Sequence, residues 1–192
     1  MKTIKLLAIA CISAITFASC SDDENPTPTN EEEVITTMTI TLTPASGSAV
    51  TLQTRDLDGD GPNAPVVTVS GNLLANTTYT GAIVLLNETE DPAENVTTEV
   101  AEEADEHQFF YSATGISPTF TYAGTNDSNG NPVGINFSVA TGAAGTGTIT
   151  VTLRHEPNKT ATGVSGGDIT NAGGETDIEA TFNVTVTNPA VL

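Results

Sequence analysis

The 192-residue sequence predicts an all-β fold, an antiparallel β-sandwich of about nine strands with one short helix. Three features carry that prediction. Apolar and polar residues alternate with a period of two through short runs rich in valine, isoleucine and threonine. Each run is closed by Gly, Asn, Asp or Pro, and one stretch alone shows helical spacing.

The first run, residues 34–42, sets Val34, Met38, Ile40 and Leu42 among threonines. β-Branched side chains fit a pleated, half-buried surface, so this is a strand with one face toward a core. Runs at 49–54, 65–70, 78–86, 107–114, 118–123, 133–140, 148–155 and 177–187 repeat the pattern. Between the fourth and fifth, Asp91-Pro92-Ala93-Glu94 offers an N-cap, a proline at the first helical position and a glutamate at the third. Val96, Val100 and Ala104 follow at helical spacing, predicting a helix from Pro92 to about Asp105. Glu94, Glu99, Glu102 and Glu103 form its solvated face.

The aromatic residues Phe109, Phe110, Tyr111, Phe120, Tyr122, Phe137 and Phe182 fall mostly at alternating strand positions, as core residues do. With no Trp and three Tyr, sugar stacking on an exposed aromatic platform is a weak prospect. Strands at this spacing make an immunoglobulin-like sandwich over residues 34–188, ample for a single core, with 189–192 as a tail.

The N-terminus has a different character. Lys2 and Lys5 precede an apolar run at 6–17 and then Ala18-Ser19-Cys20, the order of a secretory signal peptide over residues 1–19. The run is too short to span a bilayer, which takes about 20 apolar residues. Ala18-Ser19-Cys20 resembles the lipobox of bacterial lipoproteins, with Phe17 where a leucine is usual. The resemblance implies that Cys20 becomes the acylated first residue of the mature chain. Each buried methylene of an acyl chain then contributes about 0.8 kcal/mol to membrane attachment.

Ser21-Asp22-Asp23-Glu24 is similar to the acidic export signal of Bacteroidota lipoproteins, which implies display on the outer face of the outer membrane. Residues 20–33, rich in Pro, Thr, Asn and Glu, make an acidic flexible tether. As a whole the chain resembles small Bacteroidota surface lipoproteins with β-sandwich bodies. Such proteins are sometimes labelled type 1 periplasmic binding fold, a label that requires repeated βα alternation over two lobes and does not suit one helix.

Removing residues 1–19 takes away Lys2 and Lys5, leaving three basic residues (Arg55, Arg154, Lys159) against 24 acidic ones, a formal charge of −21. Such a surface repels phosphate backbones, which argues against a nucleic-acid partner, and draws divalent cations. Cys11 leaves with the signal segment and Cys20 is acylated, so the mature domain has no thiol for a disulfide or a nucleophile.

The strongest local motif is Asp56-Leu57-Asp58-Gly59-Asp60-Gly61, whose alternating carboxylates match the opening of an EF-hand-type calcium loop. Asp56, Asp58 and Asp60 are candidate Ca²⁺ ligands. Val67 stands where the bidentate glutamate belongs, so a second loop, 126–131, is the expected donor through Asp127 and Asn129. Both segments also read as plain hairpin turns.

Gly163-Val164-Ser165-Gly166-Gly167 has the G-x-S-x-G form of a nucleophile elbow, but no histidine follows Ser165, and a mobile glycine-rich loop is the better reading. His107 and His155 are expected at strand ends on the surface. Two histidines fall short of a zinc set by themselves, and opposed on a β-fold they could clamp a haem.

The expectation for function is a non-enzymatic binding or structural module, lipid-anchored in the cell envelope and tuned by calcium. The alternatives are an accessory ligand-capture subunit of an outer-membrane uptake system and a metal-assisted hydrolase built on Asp56–Asp60.

Overall fold

The computed structural model describes residues 33–59, 61–124 and 126–189. The signal segment, Cys20, the tether up to residue 32 and the end of the chain from residue 190 lie outside the described residues, as does Asp60.

In chain order the strands are β1 (Thr37–Pro44), β2 (Val50–Arg55), β3 (Val66–Val69), β4 (Leu73–Leu74) and β5 (Thr78–Leu86). They continue as β6 (His107–Thr114), β7 (Thr119–Ala123), β8 (Asn136–Ala140), β9 (Gly145–His155) and β10 (Glu175–Thr187), with α1 (Val96–Glu102) between β5 and β6. One sheet has the order β3-β2-β1-β5-β8-β7 and the other β4-β10-β9-β6. The fold is all-β, with two sheets and one α-helix among the described residues. Its six-plus-four order differs from the four-plus-three order of an immunoglobulin constant domain.

The period-two pattern does the work expected of it. Met38, Ile40, Leu42, Leu52, Ile83, Leu85 and Phe137 point inward from the first sheet, and Phe109, Ile149, Val151, Leu153, Phe182 and Val184 from the second. Full burial of such a side chain is worth about 1.5–3 kcal/mol. Gly81 has a particular reason to be glycine: a Cβ there would stand 2.3 Å from the ring of its cross-strand partner Phe137, which fills that space.

Nine runs were expected and ten strands are present among the described residues. The extra strand, β4, has only two residues, too few for any periodicity to register, and pairs in parallel with the end of β10. The helix is shorter than predicted. Asn87 and Glu94 exchange both backbone hydrogen bonds, which ties Glu94 into an extended bridge. Helical dihedrals cannot begin until that bridge is passed, so α1 starts at Val96 with Asn95 at its N-cap, and the cis Asp91–Pro92 peptide lies in the preceding loop. The glycine-rich segment is packed rather than loose. Gly163 and Gly167, both at positive φ, flank a 3₁₀ turn that buries Val164 with Phe110 and Ala172 on the outer face of the second sheet. Gln108 Nε2 donates to Val164 O at 2.7 Å and fastens the segment there.

The two ends of the sandwich differ in charge. At the end where β1 begins, the connections 56–65, 87–106, 124–135 and 156–174 carry most of the carboxylates of the body. At the opposite end, 45–49, 70–77, 115–118 and 141–144 carry none and consist largely of Gly, Ser, Ala, Asn and Thr.

At the acidic end, the guanidinium of Arg55 meets Glu88 through two bonds of 2.9 and 2.6 Å. Hydrogen bonds from Arg55 and then Thr37 pull the Glu88 carboxyl down to about 2 from an ordinary 4.5. A depressed carboxyl stabilises the fold above its unfolded value and loses that contribution as pH falls through the folded one. Glu88→Gln should therefore melt below the parent above pH 4.5, with the difference closing toward pH 2; thermal melts across that range check it.

Candidate functional site

Asp56 and Asp58 lie in the turn after β2, each bound within it. Asp56 Oδ1 accepts from the backbone N–H of Asp58 at 3.2 Å and of Gly59 at 3.0 Å. Asp58 Oδ2 accepts from Asn63 Nδ2 at 2.7 Å, and that bond holds its carboxyl below the usual range against the opposing effect of desolvation.

Asp127 is committed more fully. Its Oδ1 takes the amides of Asn129 and Asn131 at 2.9 and 2.7 Å, and its Oδ2 takes Asn131 Nδ2 at 3.1 Å and stands 3.4 Å from Lys159 Nζ. Burial pushes the Asp127 carboxyl up, but the Asn131 and Asn129 bonds and the lysine charge hold it down. Asn129 turns its side-chain amide to Ser128 Oγ. The two loops share an end of the sandwich but spring from β2 and from the β7–β8 connection. β2 and β8 are three strand spacings apart, about 14 Å. Among the described residues, no group of three or more His and acidic side chains close enough to share an ion contains Asp56, Asp58 or Asp127.

A different cluster forms where the sequence suggested surface histidines. His107 opens β6 and His155 closes β9, and the antiparallel register sets them directly opposite. By strand parity His107 shares a face with Phe109 and Tyr111, and His155 with Leu153 and Val151, so both imidazoles point inward. Their ring centroids are 4.6 Å apart. Axial haem ligands stand on opposite faces of a macrocycle, and these adjacent rings leave no room for one.

Two carboxylates join them. Asp177 sits where the β9–β10 register shifts between Thr176 and Ile178. A bulge of this kind re-aims a side chain, and here it turns Asp177 inward beside His155. Gly174 makes the approach possible, because a Cβ there would lie 2.0 Å from His155 O. Glu33 comes from the segment leading into β1, on the first sheet, and belongs to the stretch expected as solvated tether. Its side chain is instead 3% exposed, against 0% for His107, 4% for His155 and 1% for Asp177.

The distances are short. His107 Nε2 lies 2.8 Å from Glu33 Oε1 and 3.7 Å from Asp177 Oδ2. His155 Nδ1 lies 3.7 Å from Glu33 Oε2 and 3.6 Å from Asp177 Oδ1. One potential ligand atom from each residue falls within 4.8 Å of all the others. Behind them, His107 Nδ1 faces the carbonyl of Glu103 at 3.2 Å and His155 Nε2 faces Glu106 Oε2 at 3.7 Å. A carbonyl can only accept, so His107 carries a proton on Nδ1.

Away from this cluster, a shallow pocket is lined by Tyr111, Phe120, Tyr122 and Gly167. Both tyrosines donate to backbone carbonyls, Tyr111 to Gly134 O and Tyr122 to Phe109 O, which fixes them as packing groups. Comparison of the chain with protein-family models, with curated proteins and with solved structures finds no match.

Proposed function

We propose that this protein is a lipid-anchored module of a bacterial cell envelope, displayed at the outer membrane through acyl chains on Cys20, and that its β-sandwich serves binding or structure rather than catalysis. The observation that carries the reading is the order of the first 24 residues: basic, apolar, small, cysteine, then Ser21-Asp22-Asp23-Glu24. An acidic body supports it, since a net negative charge keeps a displayed domain soluble and off anionic lipid.

The test is metabolic labelling of cells with an alkyne fatty acid. The parent chain should take up label and sediment with outer membranes, and Cys20→Ser should take up none and appear in soluble fractions. An unlabelled parent chain that still carries residues 1–19 would reject the reading. Protease added to intact cells should remove the body from the parent strain if the acidic stretch after Cys20 directs surface display.

A further inference from the structure

The geometry points to a buried zinc-class metal centre made by Glu33, His107, His155 and Asp177, a structural ion that fastens the chain's lead-in segment to the second sheet. It does not depend on the lipid anchor.

The first argument is the polar balance. His107 Nε2 and Glu33 Oε1 are 2.8 Å apart, yet they do not meet as a hydrogen bond, and both are buried atoms with no hydrogen-bond partner. Glu33 Oε2 is in the same position. The Glu103 carbonyl takes the Nδ1 proton of His107, which leaves Nε2 facing the carboxylates. A proton on Nε2 would need a near-straight line to Glu33 Oε1, which is missing, so it would be buried without a partner, whereas a cation needs only that both atoms face a common centre.

The second argument is size. Four ligands at about 2.0 Å from a tetrahedral ion lie about 3.3 Å from one another. Each carboxylate turns one oxygen to each ring, Glu33 at 2.8 and 3.7 Å and Asp177 at 3.7 and 3.6 Å. One ligand atom from each of the four residues lies within 4.8 Å of all the others, a cluster that an ion of this size would draw together. The third argument is donor chemistry. Imidazole nitrogens disfavour calcium and magnesium, which take oxygen shells, and suit zinc and its neighbours. Two carboxylates and two neutral imidazoles cancel a 2+ charge, which a dry site requires.

The Glu103 carbonyl behind His107 is the outer contact a metal-binding histidine uses, and it leaves Nε2 turned inward. His155 turns Nδ1 inward to Glu33 and Asp177, while its Nε2 has the Glu106 carboxylate at 3.7 Å, beyond hydrogen-bond reach. Burial of all four side chains leaves no open coordination position for substrate, which makes the centre structural rather than catalytic. Because Glu33 precedes β1 while the other three ligands belong to β6, β9 and β10, the ion joins the two sheets.

The experiment uses the full chain, purified in detergent, with zinc as the probe. After zinc exposure and desalting, elemental analysis should find about one zinc per chain. Chelation should lower Tm, and free zinc at a thousandfold excess over its Kd should raise it by on the order of 10 °C relative to the chelated protein. Cobalt in its place should give the intense visible bands of a four-coordinate site. Glu33→Gln, at the edge of the fold, should keep the parent circular dichroism while zinc affinity drops at least tenfold. His107→Ala and His155→Ala should lose the ion, and Asp56→Asn with Asp58→Asn should retain it. A folded chain whose Tm responds to neither chelator nor zinc would overturn the proposal. So would zinc retained by the double histidine variant, or a six-coordinate cobalt spectrum.

Discussion

Asp127→Ala should destabilise the fold by about 3–5 kcal/mol, the usual cost of stranding one member of a buried ion pair. Lys159 is 5% exposed, and its ammonium donates to Ala104 O and Pro132 O while standing 3.4 Å from the Asp127 carboxylate. Burial pushes the Lys159 ammonium down and the charge of Asp127 pulls it back. Without Asp127, the lysine keeps two carbonyls but loses its countercharge, and the amides of Asn129 and Asn131 lose their acceptor. For a domain of this size the loss corresponds to a fall in Tm of about 6–20 °C. Asp127→Ala combined with Lys159→Met should recover part of it, because the stranded charge goes too. The carboxyl is depressed, so the parent's advantage holds above pH 3.8 and disappears as pH falls through its folded value. Chemical denaturation of parent, single and double variants checks both the size and the rescue.

Phe182→Ala should cost a similar amount, about 3–5 kcal/mol, by a different route. Phe182 lies in the middle of β10, fully buried among the inward side chains of the second sheet, and pairs across the strand with Ile149. Truncation removes a ring from a close-packed interior and leaves a cavity that the surrounding β-strands cannot close without breaking their ladders. The denaturation midpoint should fall while the slope with denaturant stays the same, since the surface exposed on unfolding hardly changes.

The all-β fold was legible because alternation is a local signal and burial obeys it: Ile149, Val151, Leu153 and His155 share one face of β9 as parity requires. What escaped was set by pairing between distant segments. The start of α1 was misplaced because Glu94 answers to Asn87 across the loop, not to the proline before it. β4 exists only through its partner β10.

The same distinction governs the candidate site. Parity by itself places His107 and His155 inward, so their burial could have been read from residues 107–111 and 151–155. Their juxtaposition depends on the β6–β9 register, Asp177 on a bulge, and Glu33 on where the lead-in to β1 crosses to the second sheet. None of these has a sequence signature of its own. Asp56, Asp58 and Asp127 stand in turns, which favour Asp, Asn and Gly for backbone reasons, and there their carboxylates accept from backbone amides.

The uneven placement of carboxylates gives the body an electrical long axis. β10 runs from the crowded anionic tip to the uncharged one, 13 residues or about 40 Å, well beyond the distance over which physiological salt lets charges feel each other. Cations therefore gather at the tip holding Glu33 and the paired imidazoles, while an uncharged or even anionic visitor meets little resistance at the glycine- and serine-rich tip. One molecule thus offers its surroundings two chemically independent faces.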